Sequence, residues 1–227
     1  MQTNSPIYLI GLDRDGTINQ DEDGYLGRDE DWKESITFCP KALEGLRLLR
    51  AQPDFKIIVA SNQAGVARNY FSVSTMDEVE DHIKNLLNSQ GIKLDAWICC
   101  AYVDEEYAKK INMPEDSAFR VWVKKKGENH FRKPGIGMLE SALIGLSLTL
   151  KDFLGIYFVG DKRTDVQTGL NAGGYGVLVS NEKNPEELTL TQELSEAPEY
   201  KGRILIASDL LDAVEKIIGD TKMRRRN

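Results

Sequence analysis

Two carboxylates, Asp13 and Asp15, end a short apolar run and are followed by Gly16. The run at residues 7–12 is mostly aliphatic, which predicts a buried strand. Because side chains two positions apart on an extended chain point the same way, both carboxylates should face one volume, with Gly16 making the turn. Two unit charges about 4 Å apart repel by roughly 4 kcal/mol at an effective dielectric near 20. We therefore expect a cation beside the pair, unless the stretch is an ordinary junction between a strand and a turn.

The rest of the chain alternates apolar runs with segments of helical periodicity. Further strands are predicted at residues 56–60, 96–102, 155–159, 175–179 and 204–207, with amphipathic helices between most of them. This order is typical of an α/β fold, a doubly wound, Rossmann-like and mainly parallel sheet with helices on both faces. Residues 104–131 interrupt the alternation. Since a structureless loop of that length is uncommon, we expect an insertion there, with a small hairpin that covers the site as a lid.

Length and composition narrow the class of protein. The 227 residues predict a single domain over residues 1–227, with residues 223–227 as a disordered tail. A net charge of −7 argues against a nucleic-acid partner. No apolar run approaches the ~20 residues of a membrane span, and the first residues lack the pattern of a secretory signal, so a cytoplasmic protein with no membrane partner is expected. The three cysteines are odd in number and lack the regular spacing of a set of disulfides, which indicates reduced thiols. A monomer is expected.

Polar side chains also mark the ends of two later strands. Ser61 and Asn62 follow the second predicted strand, Asp161 and Asp165 follow the fourth, and Lys133 precedes a helix. Because the carboxyl ends of parallel strands share one edge of a sheet, where ligands bind, these separate signals predict one site. Taken singly, each has a simpler interpretation. Ser61 could cap a turn, Lys133 could be a solvated lysine at a helix entry, and Asp165 could be a helix N-cap.

These residues fall in the order and spacing of a known family. The segments Asp13-Arg-Asp-Gly-Thr17, Ser61-Asn62, Lys133 and Gly160-Asp-Lys-Arg-Thr-Asp165 resemble the four motifs of the haloacid dehalogenase-like phosphotransferases. The match extends over most of residues 7–180. The stretches at 12–19, 62–68 with 70–71, 132–134 and 160–162 are similar to the heptose-bisphosphate and histidinol-phosphate phosphatase branch. The resemblance implies hydrolysis of a phosphate monoester through an aspartyl-phosphate intermediate.

The resemblance also implies a role for each motif residue. Asp13 would be the nucleophile and Asp15 the general acid and base, with Thr17 or its neighbours fixing Asp15. Phosphoryl oxygens would be bound by the Ser61 hydroxyl, the backbone N–H of Asn62 and the Lys133 ammonium. Further substrate contacts are implied for Thr17, Gln63, Arg68, Arg132 and Lys162. Lys162 alone could be a surface charge, but the resemblance favours a phosphate or substrate contact.

Mg²⁺ is the implied cofactor, because it is a hard cation that prefers oxygen ligands. Its protein ligands would be Asp13, the backbone carbonyl of Asp15, and Asp161. Asp165 would orient that group or Lys133, with direct metal binding as the alternative.

One departure from the branch concerns zinc. The heptose-bisphosphate branch typically carries a structural zinc loop, Cys-x-His followed by Cys-x-Cys directly before the Arg-Lys-Pro motif. Here the last two ligand positions hold Asn129 and Phe131. We therefore expect no structural zinc, and the longer insertion would replace that loop as the lid.

Several functions compete at this point. The leading hypothesis is a Mg²⁺-dependent phosphomonoesterase acting on a small phosphorylated metabolite, with a sugar bisphosphate such as D-glycero-D-manno-heptose 1,7-bisphosphate first and histidinol phosphate second. A nucleic-acid 3′-phosphatase would use the same chemistry, but the acidic net charge speaks against it. A phosphate-binding or regulatory protein without catalysis is disfavoured by the intact pair of Asp13 and Asp15, since clustered carboxylates oppose anion binding.

Overall fold

The computed structural model describes residues 7–21, 25–120, 131–180, 182 and 184–225. The strands in chain order are β1 (Tyr8–Leu12), β2 (Phe55–Asn62), β3 (Ala96–Cys100), β4 (Gly155–Gly160), β5 (Tyr175–Val179) and β6 (Ile204–Ala207). The helices are α1 (Trp32–Ser35), α2 (Ala42–Arg50), α3 (Ala64–Ala67), α4 (Val73–Ser89), α5 (Glu105–Lys110), α6 (Gly137–Gly145), α7 (Arg163–Asn171), α8 (Pro185–Ser195) and α9 (Leu210–Arg224).

The six strands form one parallel sheet in the order β3-β2-β1-β4-β5-β6. One face packs against α2, α4 and α9, and the other against α6 and α7, so both faces of the sheet are covered. Strand β1 is buried along its whole length because it lies inside the sheet between two covered faces. The doubly wound α/β fold expected from the sequence is confirmed.

The strand order reverses between β1 and β4, since β2 and β3 continue on one side of β1 while β4, β5 and β6 continue on the other. In open parallel sheets, ligands bind beyond the carboxyl ends of the strands at such a point. We call this end of the sheet the carboxyl edge. Asp13 follows β1 and Asp161 follows β4 at this point.

The acidic segment between β5 and β6 contains helix α8. Pro185 occupies the first helical turn, where its missing N–H costs nothing, and Glu186 and Glu187 favour the positive end of the helix dipole. Leu188 and Leu194 pack against a small core cluster. The helix was missed because its apolar positions are few and weakly periodic.

The insertion and the tail are described in part. Helix α5 lies in the insertion, and Val103 pairs with Arg120 as an isolated bridge. The expected insertion with its hairpin lid spans residues 104–131, of which 121–130 lie outside the described residues, so the lid stays a prediction. Residues 223–225 differ from the disordered tail that was expected, because Arg224 ends α9 and pairs with Asp220 at 2.7 Å. Across the described ranges, no helix combines the length and apolar character that a membrane crossing requires.

Candidate active site

Lys133 joins two of the expected carboxylates at the carboxyl edge. Its Nζ lies 2.6 Å from Asp13 Oδ1 and 2.7 Å from Asp165 Oδ1, and all three side chains are buried. Burial opposes the charge of Lys133, but the two carboxylates outweigh it and hold the lysine pKa above its ordinary value. Burial raises the pKa of Asp13 to about 6 against the pull of Lys133. Lys133 is therefore a buried cation rather than a solvated lysine.

Asn62 fixes the backbone that carries Lys133. Its side-chain amide donates to the Lys133 carbonyl at 3.2 Å and accepts from the Lys133 N–H at 3.1 Å. Because β2 extends through Asn62, this residue and Ser61 lie in the last part of the strand rather than in the turn after it. The Ser61 hydroxyl accepts from Gln63 Nε2 at 2.7 Å, so Ser61 does not cap a turn.

Asp165 lies in the third position of α7 rather than at its N-cap. Its Oδ2 accepts a hydrogen bond from the Lys162 N–H at 3.1 Å, while its Oδ1 faces Lys133. The N-cap alternative is therefore wrong. Gly160 permits this approach, because a Cβ there would lie 2.3 Å from the Asp165 carboxylate.

Asp15 is held by Arg14, which the sequence argument missed. Arg14 donates from Nε to Asp15 Oδ1 at 2.8 Å and from Nη2 to Oδ2 at 2.7 Å. Asn19 Nδ2 and Gln63 Nε2 add bonds of 3.0 and 2.7 Å to the same carboxylate. Burial acts to raise the pKa of Asp15, but Arg14 and the amides outweigh it and hold that pKa below its ordinary value.

The signal for Arg14 was its place between the two acids, where a cation was expected. If the strand continued, alternation would point the Arg14 side chain away from both aspartates, so the sequence pattern does not predict this contact. The strand ends at Leu12, however, and from there the chain turns, so alternation no longer applies and Arg14 reaches its neighbour. Thr17 or its neighbours were expected to help fix Asp15. Asn19, two positions after Thr17, makes that contact, whereas the buried Thr17 hydroxyl has no hydrogen-bond partner among the described residues.

Asp161 sits against the backbone of the first motif. Gly16 has a φ of +81°, and a Cβ there would lie 2.4 Å from Asp161 Oδ2, so only glycine fits. Asn184, which precedes α8 and was also missed, donates to Asp161 Oδ2 at 3.3 Å. Asp161 Oδ1 is buried without a hydrogen-bond partner in the described part of the chain. Burial, with Asp13 nearby, raises the pKa of Asp161 to about 7.

Three carboxylates of this site fit a divalent cation. Asp13, Asp161 and Asp165 each offer an oxygen within 4.8 Å of the others, the one such group found in the described residues. An all-oxygen donor set suits Mg²⁺ better than a softer metal. Lys133 takes Oδ1 of both Asp13 and Asp165, whereas Oδ1 of Asp161 has no hydrogen-bond partner among the described residues, so Asp161 Oδ1 is the atom best placed for the cation.

A cavity of about 930 Å³ opens beside these groups and is lined in part by Asp15, Asp161, Lys162 and Asp21. Partial desolvation opposes the charge of Lys162, but Asp161 and Asp13 outweigh it and raise its pKa. Its side chain is exposed to solvent at the wall of this cavity, and its contact with substrate stays a prediction. Burial and Asp15 raise the pKa of Asp21 to about 6.

The structure places Arg68 and Arg132 outside this cavity. Arg68 donates to the Tyr25 and Tyr107 hydroxyls at 2.7 and 3.3 Å and lines a separate cavity of about 770 Å³. Arg132 lies 5.2 Å from the centre of the Tyr107 ring and donates to the Tyr102 carbonyl at 3.3 Å. Their expected contact with substrate stays a prediction. Of the two positions that bear on zinc, Phe131 packs against the hydrophobic core between the sheet and α6. Asn129 lies outside the described residues.

Comparison with known proteins agrees with this geometry. The family model described as "Polynucleotide kinase 3 phosphatase" matches residues 8–187. A D-glycero-D-manno-heptose-1,7-bisphosphate 7-phosphatase from Thermosynechococcus vestitus is 34% identical over 213 residues, which cover 93% of this chain and 96% of that protein. A D-glycero-beta-D-manno-heptose-1,7-bisphosphate 7-phosphatase from Mesorhizobium japonicum is 31% identical, with 93% and 84% covered.

Among solved structures, the D,D-heptose 1,7-bisphosphate phosphatase from B. bronchiseptica, complexed with magnesium and phosphate, matches with a TM-score of 0.66. It is 25% identical, and the match covers 94% of this chain and 99% of that one. The family expected from the four motifs is thereby confirmed. The chain belongs to the haloacid dehalogenase-like phosphatases, within the family described as polynucleotide kinase 3 phosphatase.

Proposed function

We propose that this phosphatase is a Mg²⁺-dependent phosphomonoesterase that hydrolyses a small phosphorylated sugar through an aspartyl-phosphate on Asp13. The arrangement that supports this best is the buried Lys133 between Asp13 and Asp165, with Asp15 fixed separately beside it. The two carboxylates have different partners, because Lys133 pairs with Asp13 and Arg14 pairs with Asp15. Such a division suits two carboxylates with different tasks.

In the first half of the reaction, a carboxylate oxygen of Asp13 attacks phosphorus, and the bond from phosphorus to the ester oxygen breaks. Asp15 enters this step protonated, because the negative phosphate ester beside it opposes the lowering of its pKa by Arg14 and the amides. It gives that proton to the departing alkoxide, which leaves as an alcohol. Lys133 holds Asp13 in place from 2.6 Å and, with the Ser61 hydroxyl, would contact the phosphoryl oxygens.

In the second half, Asp15 takes a proton from water, and the water oxygen attacks phosphorus. The bond from Asp13 to phosphorus breaks, inorganic phosphate forms, and both aspartates return to their starting states. Splitting the reaction in this way is useful because uncatalysed hydrolysis of phosphate monoesters is among the slowest of biological reactions.

Asp13, Asp161 and the backbone carbonyl of Asp15 would hold the cation, with Asp165 orienting Lys133. When bound there, Mg²⁺ offsets the negative charge shared by the carboxylates and the phosphoryl group. Gly16 keeps Asp161 in position, since any side chain there would meet its carboxylate.

For the substrate, we infer a sugar bisphosphate such as D-glycero-D-manno-heptose 1,7-bisphosphate, because relatives that match nearly the full chain act on it. A nucleic-acid 3′-phosphatase is the second candidate, favoured by the description of the family. The acidic side chains of Asp21, Glu182 and Asp209 at the main cavity disfavour a polyanionic strand there. A monomer without structural zinc stays our prediction.

The test is phosphate release from heptose 1,7-bisphosphate, other sugar phosphates, histidinol phosphate and a 3′-phosphorylated oligonucleotide. We expect release from the heptose bisphosphate at the highest kcat/KM, abolished by EDTA and restored by Mg²⁺. Asp13→Asn should lose at least about 10⁴-fold in kcat, as nucleophile removal does elsewhere. Preference for the oligonucleotide would favour the second candidate. No release from any ester would indicate a binding protein, and unchanged activity of Asp13→Asn would refute the nucleophile.

A further inference from the structure

The carboxylate of Asp15 is saturated with hydrogen bonds. Arg14 Nε and Asn19 Nδ2 donate to Oδ1, and Arg14 Nη2 and Gln63 Nε2 donate to Oδ2, all within 3.0 Å. An ionised carboxylate has about four lone-pair sites, so each is taken. A group that must exchange a proton with substrate and water therefore has to release one donor and keep its orientation with the others.

The four bonds differ in how easily they can be released. Arg14 is fully buried, and its two bonds run in parallel from one planar guanidinium, the strongest and most directional way to hold a carboxylate. Asn19 and Gln63 are neutral amides with one bond each to Asp15. Gln63 Nε2 also donates to Ser61 Oγ at 2.7 Å, and Asn19 Nδ2 also donates to the Gln20 carbonyl at 3.0 Å, so each amide keeps a partner if it leaves Asp15. Asn19 belongs to the same turn as Asp15, with which it forms an isolated bridge, whereas Gln63 follows β2, so Gln63 can move without altering that turn.

We propose that Arg14 is the positioning residue for Asp15 and that its two bonds persist through turnover while Gln63 gives up its bond to Asp15. The free oxygen of Asp15 then faces the ester oxygen, and the carboxylate plane stays fixed by the guanidinium. Arg14 Nη1 is buried without a hydrogen-bond partner among the described residues, so within that part of the chain the guanidinium is held by its two bonds to Asp15. This inference rests on the proposed function, because it assigns Asp15 the proton transfers.

The leaving group separates this role from a merely structural one. An alkoxide from a sugar needs a proton as it departs, whereas p-nitrophenolate leaves without one. Arg14→Met should therefore lower kcat for the sugar phosphate by about 10²- to 10⁴-fold, the usual contribution of general acid–base catalysis, with KM nearly unchanged. The first-turnover release of p-nitrophenol from p-nitrophenyl phosphate should fall by less than about 5-fold, since this step requires no proton from Asp15.

Arg14→Lys keeps the charge but not the parallel pair of bonds, and it serves as the second variant should Arg14→Met fail to fold. We expect the kcat of Arg14→Lys for the sugar phosphate to stay at least about 10-fold below that of wild type, with first-turnover release of p-nitrophenol near the wild-type rate. The matched control is Arg224→Met, which removes an arginine–aspartate pair of the same pattern, with bonds of 2.7 and 3.2 Å to Asp220. It should leave both substrates unchanged.

Equal losses on the two substrates in an Arg14 variant, or full activity of Arg14→Lys on the sugar phosphate, would overturn the positioning role. Failure of the proposed function has a different signature. In that case wild type would release phosphate from neither substrate, whatever the residue at position 14.

Discussion

Carboxylates are paired with exposed arginines at one end of the parallel sheet and are buried at the other. At the amino edge, where the strands begin, Asp220 pairs with Arg224 and accepts from the Tyr157 hydroxyl, and Asp54 pairs with Arg225. Both arginine side chains are 39% exposed, so water solvates these charges in addition to their ion-pair partners. At the carboxyl edge the carboxylates of Asp13 and Asp161 are nearly inaccessible.

The difference indicates what each end is built for. The amino edge uses exposed ion pairs, each of which contributes about 0–1 kcal/mol. The carboxyl edge keeps Asp13 and Asp161 ionisable under burial, which raises their pKa values to about 6 and 7. Stability alone would not favour that arrangement, whereas binding of a cation and a phosphoryl group accounts for it.

The largest contrast should come from removing one cation at each edge. Lys133→Met leaves two buried carboxylates facing each other, so we expect at least about a 10³-fold loss in kcat and about 3–5 kcal/mol of unfolding free energy. Arg225→Met should cost no more than about 1 kcal/mol and leave kcat unchanged. Steady-state kinetics and urea unfolding measure both. A Lys133→Met enzyme that keeps more than a tenth of its kcat would contradict the account.

A second contrast uses two glycines with similar backbone angles. Gly16 and Gly91 have φ values of +81° and +74°, but a Cβ at Gly16 would lie 2.4 Å from Asp161 Oδ2, and one at Gly91 would meet nothing within 4 Å. Alanine at Gly91 should cost about 1–2 kcal/mol of stability for the backbone conformation, and alanine at Gly16 should cost more because its Cβ would also clash with Asp161. Only Gly16→Ala should also lose about 10- to 100-fold in Mg²⁺ affinity, measured by activity against metal concentration. Equal Mg²⁺ dependence of activity in both variants would contradict the role of Gly16 in positioning Asp161.

The smallest effect is expected at the amino edge. Tyr157→Phe removes the hydroxyl that donates to Asp220 Oδ2 and should cost about 1 kcal/mol in urea unfolding. Its kcat/KM should stay within about 2-fold of wild type, because Tyr157 lies in the first half of β4 and its hydroxyl contacts Asp220 of α9 rather than the carboxyl edge. A loss of 10-fold or more would show that the two edges are energetically linked.

Much of the fold and part of the site could be predicted from the sequence. Strands β1, β2 and β4 are apolar runs bounded by polar turns, and buried parallel strands have that pattern, so the convergence of Asp13, Ser61 and Asp161 on one edge followed from topology. The pairing of Lys133 with Asp165 was among the expected alternatives.

What could not be predicted depends on the chain outside regular elements. Arg14 turns back onto Asp15 because the strand has already ended, and no periodicity describes that turn. Asn184 reaches Asp161 from a segment whose helix α8 has a weak apolar pattern. Arg68 lies beside tyrosines that are distant in sequence, so its separate cavity had no local signal.

The most direct test of the central claim follows the phosphoryl group in Asp15→Asn. With p-nitrophenyl phosphate, the first half-reaction needs no proton, but hydrolysis of the intermediate does need a base, so the phosphoenzyme should accumulate. We expect a burst of about one p-nitrophenol per active site and, after borohydride reduction and digestion, homoserine in place of Asp13. A burst with residue 13 unmodified, or turnover at the wild-type rate without a burst, would contradict the account.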